Sequence, residues 1–306
     1  MRATNRSHIK IHKKFDLKNF IYSFVIGLVL TAFIIVTLYP ILNTLAVSFN
    51  DALDALRGGI YLWPRKWSLN NYYTVLHKES MMTGLSISVL RTVVGTILQL
   101  FVTALIAFVL SRKKFVFAKP ISILYVLTMY VNGGLIPTFL LFKSLGFMNS
   151  FWVYVIPGMV SAFNMLVIRT YMNGLPDSLE ESAMMDGAGY FKVFTRIIVP
   201  LCKPVFATIA LFIAVGQWNS WFDTMLYNRM ADSLTTLQYE LMKLLSSVSQ
   251  LSGDANTAAL TGSSSQVTTK SVRAAATILT SLPIVVLYPF LQRYFVTGLT
   301  IGGVKE

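Results

Sequence analysis

Hydrophobic positions along the chain gather into six long runs separated by polar breaks. A helix needs about 20 apolar residues to cross a bilayer, and each run comes near that length. The runs cover roughly Phe20 to Ala46, Gly84 to Leu110, Pro120 to Phe142, Phe151 to Ile168, Val205 to Leu226 and Ala274 to Leu291, the last continuing into an amphipathic end. The first is free of charge, and the second is interrupted by Arg91. That arginine is expected to reach the outer surface along its own aliphatic stem. The pattern predicts an all-α integral membrane protein with six transmembrane helices.

The polar breaks are of unequal character. Residues 51–83 contain Gly58-Gly59, Trp63-Pro64, Trp67, Tyr72 and Tyr73. Residues 228–273 open with Leu234, Leu237, Leu241, Leu244 and Leu245, a three-and-four spacing that predicts a short amphipathic helix. The Ser/Thr/Gly-rich arm from Ser246 to Thr269 then predicts a flexible loop. Residues 175–204 have the signals of a helix, a bend and a second helix. Pro176, Asp177 and Ser178 mark a helix start, with Ser178 and Glu181 spaced as a capping box. Leu179, Ala183 and Met184 are expected on its inner side, and Gly187 permits a turn that a side chain would strain. In the second helix, from about Tyr190, Phe191, Phe194 and Ile198 share an apolar face and Lys192 and Arg196 a basic one. Pro200 and Pro204 close it and begin the fifth run. The same features also suit an interfacial helix lying on the membrane.

Composition agrees with a membrane protein. Of 306 residues, 55% are hydrophobic and only 13% charged, where soluble domains are nearer a quarter charged. A net charge of +13 would suggest nucleic acid in a soluble protein. Here the basic residues flank the apolar runs, so no nucleic-acid partner is expected. Residues 1–19 form a basic tail with Arg2, Arg6, Lys10, Lys13, Lys14 and Lys18, and the link after the second run carries Arg112, Lys113, Lys114 and Lys119. Positive charge favours the cytoplasmic side. Both termini and the 175–204 loop are therefore expected inside, and segments 51–83 and 228–273 outside. The opening is not expected to be a cleavable signal peptide, because its basic lead and its apolar run are both too long. Cys202 is a single cysteine, so no internal disulfide forms; it is expected to act as a small hydrophobe. No phosphate-binding Gly-x4-Gly-Lys-Ser/Thr loop occurs. His8, His12 and His77 make no spaced ligand set, and neither a metal site nor a catalytic group is expected.

The 175–204 loop resembles the coupling loop, or EAA loop, of permease subunits in ATP-binding-cassette (ABC) importers of type I. Glu181, Ala183, Asp186, Gly187, Ala188, Phe194, Ile197 and Pro200 match that signature, while Ser182 stands for the usual Ala and Val199 for the usual Leu. Three further stretches look like the carbohydrate-uptake branch: Gly133 to Thr138, Trp218 to Trp221, and Gly298 to Lys305. The similarity extends to the smaller maltose-importer permease and to polysaccharide- and lipoprotein-type permeases. It implies a type I ABC importer permease fold in a bacterial cell membrane. It further implies pairing with a second permease, two cytoplasmic ATPase subunits that bind ATP and Mg, and an external solute-binding protein. Glu181, Ser182, Ala183, Asp186, Gly187, Ile197 and Pro200 would then dock on an ATPase. Gly302, Gly303 and Lys305 of tail 297–306 would reach the ATPase interface, and the 228–273 segment would touch the binding protein.

Polar residues within the runs are the remaining candidates, since they usually face a pathway or a bundle interior. Tyr130, Asn132, Asn164, Gln217, Trp218, Asn219 and Trp221 combine amides with aromatic faces, which suits a sugar ring; Gln99 and Asp223 are related polar positions. The same residues also suit helix–helix hydrogen bonds and an interface belt. A secondary carrier without ATPases is the competing class. It would need acids at mid-membrane, and Asp223 is the only acid near a run. A membrane enzyme would need a clustered acid–base set.

Overall fold

In the computed structural model, residues 17–251 and 268–301 are described, and among them every regular element is a helix. Helix α1 (Leu17–Ser48) is followed by the short α2 (Ala52–Leu56) and α3 (Asn70–Leu76), then by the long α4 (Glu79–Ser111). Next come α5 (Ala118–Tyr130), α6 (Leu135–Ser144), a 3-10 turn at Phe151–Tyr154 and α7 (Ala162–Asn173). The 175–204 loop holds α8 (Asp177–Met185), α9 (Tyr190–Val193), a π turn at Phe194–Ile198 and α10 (Val199–Leu201). The chain ends with α11 (Lys203–Asn219), α12 (Phe222–Tyr227), a 3-10 turn at Asp232–Leu234, α13 (Leu237–Leu251) and α14 (Thr269–Ile301).

Three described helices are long and apolar enough to cross a membrane, or five if each of two bent pairs counts as one crossing. The third expected run is not a straight helix: α5 and α6 meet at 117°. The cause is local. Gly134 has φ +87°, and the Asn132 Oδ1 accepts the Gly134 N–H at 2.9 Å, closing a turn that ends α5. The fourth expected run also differs. It opens as a 3-10 turn and stays irregular past Pro157-Gly158 until the Ser161 side chain caps α7 by accepting the Asn164 N–H. The fifth run stops at Ser220-Trp221 and resumes as α12. Helix α13 starts after Leu234 and runs to Leu251, so the polar arm is helical at its beginning. The rest of that arm, residues 252–267, lies outside the described residues, as do the tail candidates Gly302, Gly303 and Lys305 and most of the basic tail.

Helix α4 is the hub, packing on α7, α11 and α13. Its buried stripe runs through Gly84, Ser88, Arg91, Gly95, Gln99, Thr103 and Ala107, all small or polar. Its exposed face carries Val89, Leu90, Val93, Ile97 and Phe101. This is the arrangement expected where lipid is as apolar as any side chain: helices meet through small residues and turn polar groups inward. The main apolar core lies at one end of α4, where Phe108 packs with Met165, Ile168, Val193, Phe194, Cys202 and Ile209. By contrast, α1 packs mainly on α14 and leaves most of its apolar surface uncovered.

The 51–83 segment folds into a small cap. Asn50 bridges to Trp67, its Oδ1 accepts the Arg65 and Lys66 N–H groups, and its Nδ2 donates to Asp54. Asp54 in turn accepts from the Arg65 guanidinium at 3.0 Å.

The close approach of α4 to α13 rests on Gly84. A Cβ there would stand 2.9 Å from the Leu237 backbone nitrogen, and backbone cannot swing aside. Gly84→Leu is expected to destabilise the fold by about 1–3 kcal/mol, seen as a lower thermal midpoint in detergent. Gly27→Leu, with nothing within 4 Å, should leave the midpoint unchanged.

Candidate functional site

A cavity of about 340 Å³ lies among α4, α11, α12 and the stretch leading into α7. Arg91 is its electrostatic centre. It does not reach the outer surface; it is 2% exposed. Its Nη2 donates to Asp223 Oδ2 at 2.5 Å and its Nη1 to Asp223 Oδ1 at 3.2 Å, a forked pair. Its Nε donates to Gln217 Oε1 at 3.0 Å, and its guanidinium sits 4.3 Å from the Tyr154 ring centre. Gln217 completes the bridge by donating to the Tyr154 carbonyl at 3.1 Å. A charge is kept away from bulk water only when it is paired and hydrogen-bonded, and this one has both.

The expected pathway residues separate here. Asn164 and Gln217 line the cavity beside Gln99 and Asp223. Trp218 does not: it is 7% exposed and its Nε1–H donates to the Thr280 carbonyl at 2.8 Å, joining α11 to α14. Tyr130, Asn132 and Asn219 are exposed on this chain. Trp221 is partly exposed and meets the Phe222 ring edge-on at 5.8 Å. Arg91 and Tyr154 were not expected in the site. One signal pointed to Arg91: a lone arginine and a lone acid near apolar runs are each costly unless they meet.

The second site is the 175–204 loop. The turn at Gly187 has φ +76°, a conformation that favours glycine. The expected capping box does not form. The helix begins one residue before Ser178, Pro176 is its N-cap without a side-chain bond, and the Ser182 hydroxyl instead donates to the Ser178 carbonyl. Two ion pairs hold α8 to the end of α4: Arg112 with Glu180, and Lys113 with Asp177. The hydrogen bond and charge of Lys113 hold the Asp177 carboxyl below its ordinary range, and Asp177 holds the Lys113 ammonium above its own. This exposed tether therefore persists at neutral pH. It fades as pH falls through the depressed carboxylate value, or as pH rises through the elevated ammonium value.

Ala183, Met184 and Ala188 pack against the core, joined by buried Val193, Phe194 and Ile198. Leu179 was expected on the inner side of α8, and Phe191 on one apolar face with Phe194 and Ile198; they are 41% and 65% exposed. Glu181, Ser182, Asp186 and Gly187 are exposed, Ile197 is partly buried, and Pro200 is exposed. The π turn ends two residues before Pro200. Val199 N–H reaches back five residues to the Phe194 carbonyl, and proline has no N–H to restore the tighter ladder. The second helix then meets α11 at 84°, with Cys202 at the corner. The loop is thus a firm bracket with one face in the core and the other free.

Residues 81–301 match the family described as binding-protein-dependent transport system inner membrane components. The chain belongs to that family. The permease is 33% identical over 290 residues to the polygalacturonan/rhamnogalacturonan transport system permease YtcP of Bacillus subtilis (strain 168), covering 94% of this chain and 100% of that one. It is also 33% identical to LplC of the same organism, covering 97% and 96% of the two chains. A crystal structure of a bacterial ABC transporter involved in the import of the acidic polysaccharide alginate contains a chain with 27% identity and a TM-score of 0.83, covering 92% of this permease and 99% of that chain. The helices adopt the type I ABC permease fold. The family is a transport subunit of the membrane. Among the described residues of the permease, no group of His, Cys, Asp or Glu is arranged to hold a metal ion.

Two outcomes follow from this geometry. Removing one partner of the Arg91–Asp223 pair leaves a buried charge unmatched, so Asp223→Ala is expected to cost about 3 kcal/mol in stability. Arg91→Leu combined with Asp223→Leu should recover much of that loss in a detergent melt, and a double variant no better than the single one would contradict the pairing. Cys202 is fully buried, and burial pushes its thiol up to about 11. Maleimide at neutral pH should leave it unmodified in the folded permease and label it after denaturation.

Proposed function

We propose that this permease forms half of the transmembrane pathway of an ATP-driven, binding-protein-dependent importer of an oligo- or polysaccharide. In this reading the chain crosses the membrane six times, with residues 151–173 as a broken crossing and both termini in the cytoplasm of a bacterial cell. A second, different permease supplies the other half. Two cytoplasmic ATPase subunits bind ATP and Mg, and a solute-binding protein delivers substrate to segments 51–83 and 228–273 outside. The carbohydrate class is supported by the polysaccharide systems of its relatives.

One observation carries the coupling role. The 175–204 bracket sets Ala183, Ala188, Phe194 and Ile198 into the core while Glu181, Asp186, Met185 and Tyr190 face outward, Met185 at 88% exposed. Exposed apolar side chains beside exposed acidic groups suit a cleft on a partner protein. A push on that face would pass through packed side chains into α4, α7 and α11, because close-packed interiors transmit displacement. Glu181, Ser182, Ala183, Asp186, Gly187, Ile197 and Pro200 are the proposed contact and hinge set. Asn164 and Gln217, with Arg91 and Gln99, would form part of the pathway wall. The secondary-carrier reading loses support, because Asp223 is engaged by Arg91.

Purification in mild detergent tests the assembly. A second permease and ATPase subunits are expected to accompany the chain, and Gly187→Leu should leave it inserted while reducing both ATPase recovery and uptake by at least about tenfold. Wild-type uptake in that variant would sink the coupling assignment.

A further inference from the structure

A cleft of about 540 Å³ opens where α4 ends, α5 begins and α7 ends, lined in part by Arg112, Lys113, Lys119, Arg169, Asn173 and Glu180. Its charges do not cancel. Arg112 and Lys113 are matched by Glu180 and Asp177. Among the described residues, neither Lys119 nor Arg169 has a carboxylate within ion-pair distance. Arg169 is partly buried. Its Nη1 donates to the Ser122 hydroxyl at 2.6 Å, and its Nε–H is buried with no acceptor. A guanidinium stays charged and carries five donors in a fixed fork. One that is sunk beside a cleft with a donor unmet calls for an anion with several acceptor oxygens.

The surroundings narrow the choice. The cleft sits at the level where the apolar stretches of α4 and α5 end. Val116 lines it at 84% exposed, and the adjoining Phe117 is 63% exposed. A recessed guanidinium and an exposed lysine beside exposed apolar side chains at a span end match a molecule with an anionic head and a hydrocarbon tail. We propose that this cleft binds the phosphate group of an anionic phospholipid, with Arg169 and Lys119 as its ligands and Val116 and Phe117 against the acyl chains. The site would tie α5 to the α4–α7 core beside the Lys113–Asp177 tether. It rests on the membrane-spanning reading of α4 and α5 and is independent of the transported substrate.

The test uses the full chain in nanodiscs of phosphatidylcholine alone or with phosphatidylglycerol, with retained lipid read by native mass spectrometry and stability by thermal melting. Phosphatidylglycerol should be retained and should raise the midpoint by several degrees. Arg169→Gln and, separately, the exposed Lys119→Gln should each weaken retention by about tenfold, the loss of a charge-assisted contact. A rise produced in phosphatidylcholine discs by millimolar inorganic phosphate, and abolished by the same variants, would keep the phosphate site but assign it to a soluble ligand. Equal behaviour in both lipids without a phosphate effect, or wild-type retention in Lys119→Gln, would overturn the proposal. Failure of the unaltered chain to bring ATPase subunits with it, with lipid retention intact, would instead count against the coupling reading alone.

Discussion

A guanidinium buried in an apolar bundle demands a carboxylate, further acceptors and a polarisable surface, and Arg91 finds all of them. Asp223, Gln217, Ser220 and the Tyr154 ring converge on it from three parts of the chain. The partners pin α4 to the end of α11, to α12 and to the turn before α7. Hydrophobic burial gives little preference for one helix arrangement over another when lipid is the surroundings. A buried ionic cluster does give such a preference, because few arrangements satisfy every member. The break between α11 and α12 follows the same requirement: it frees the Ser220 carbonyl and places Asp223 against the arginine.

The two ends of α4 are organised differently. One end is a dense apolar core that grips the 175–204 bracket. Nearer the other, small residues and hydroxyls let backbones approach. Ser88 Oγ accepts the Leu237 N–H at 2.9 Å, and the Thr224 and Thr236 hydroxyls meet at 2.9 Å. A motion entering at the bracket therefore meets a stiff body first and a hydrogen-bonded one second. The polar cavity lies between them.

Some of this was legible from local chemistry. Gly187 announced a turn, Pro200 and Pro204 marked a helix boundary, and the leucine spacing from Leu234 announced α13, although Leu234 itself stays in the 3-10 turn before it. These features are decided within a few neighbouring residues. The depth of the α5–α6 bend was not legible: Gly133-Gly134 signals an opening, but nothing local sets its angle. Ser178 failed as a cap because the preceding Pro176 already fixes where α8 begins. The Arg91 environment was out of reach for another reason: its acid lies 132 positions away along the chain. Trp218 shows the converse, since its ring chemistry suits a sugar while its neighbours on α14 decide its role.

The π turn at Phe194–Ile198 has a consequence for inheritance of the fold. Each residue added to a helix turns everything after it by about 100°. A π turn is one added residue retained in place, so it works as a phase setting between the bracket and α11. It lets Phe194 and Ile198 share the core with Cys202 despite the proline between them. A deletion of one residue there would keep the composition almost intact and still carry the corner to the wrong side. The packing therefore depends more on the length of this short stretch than on the identity of its exposed residues, Thr195 and Arg196.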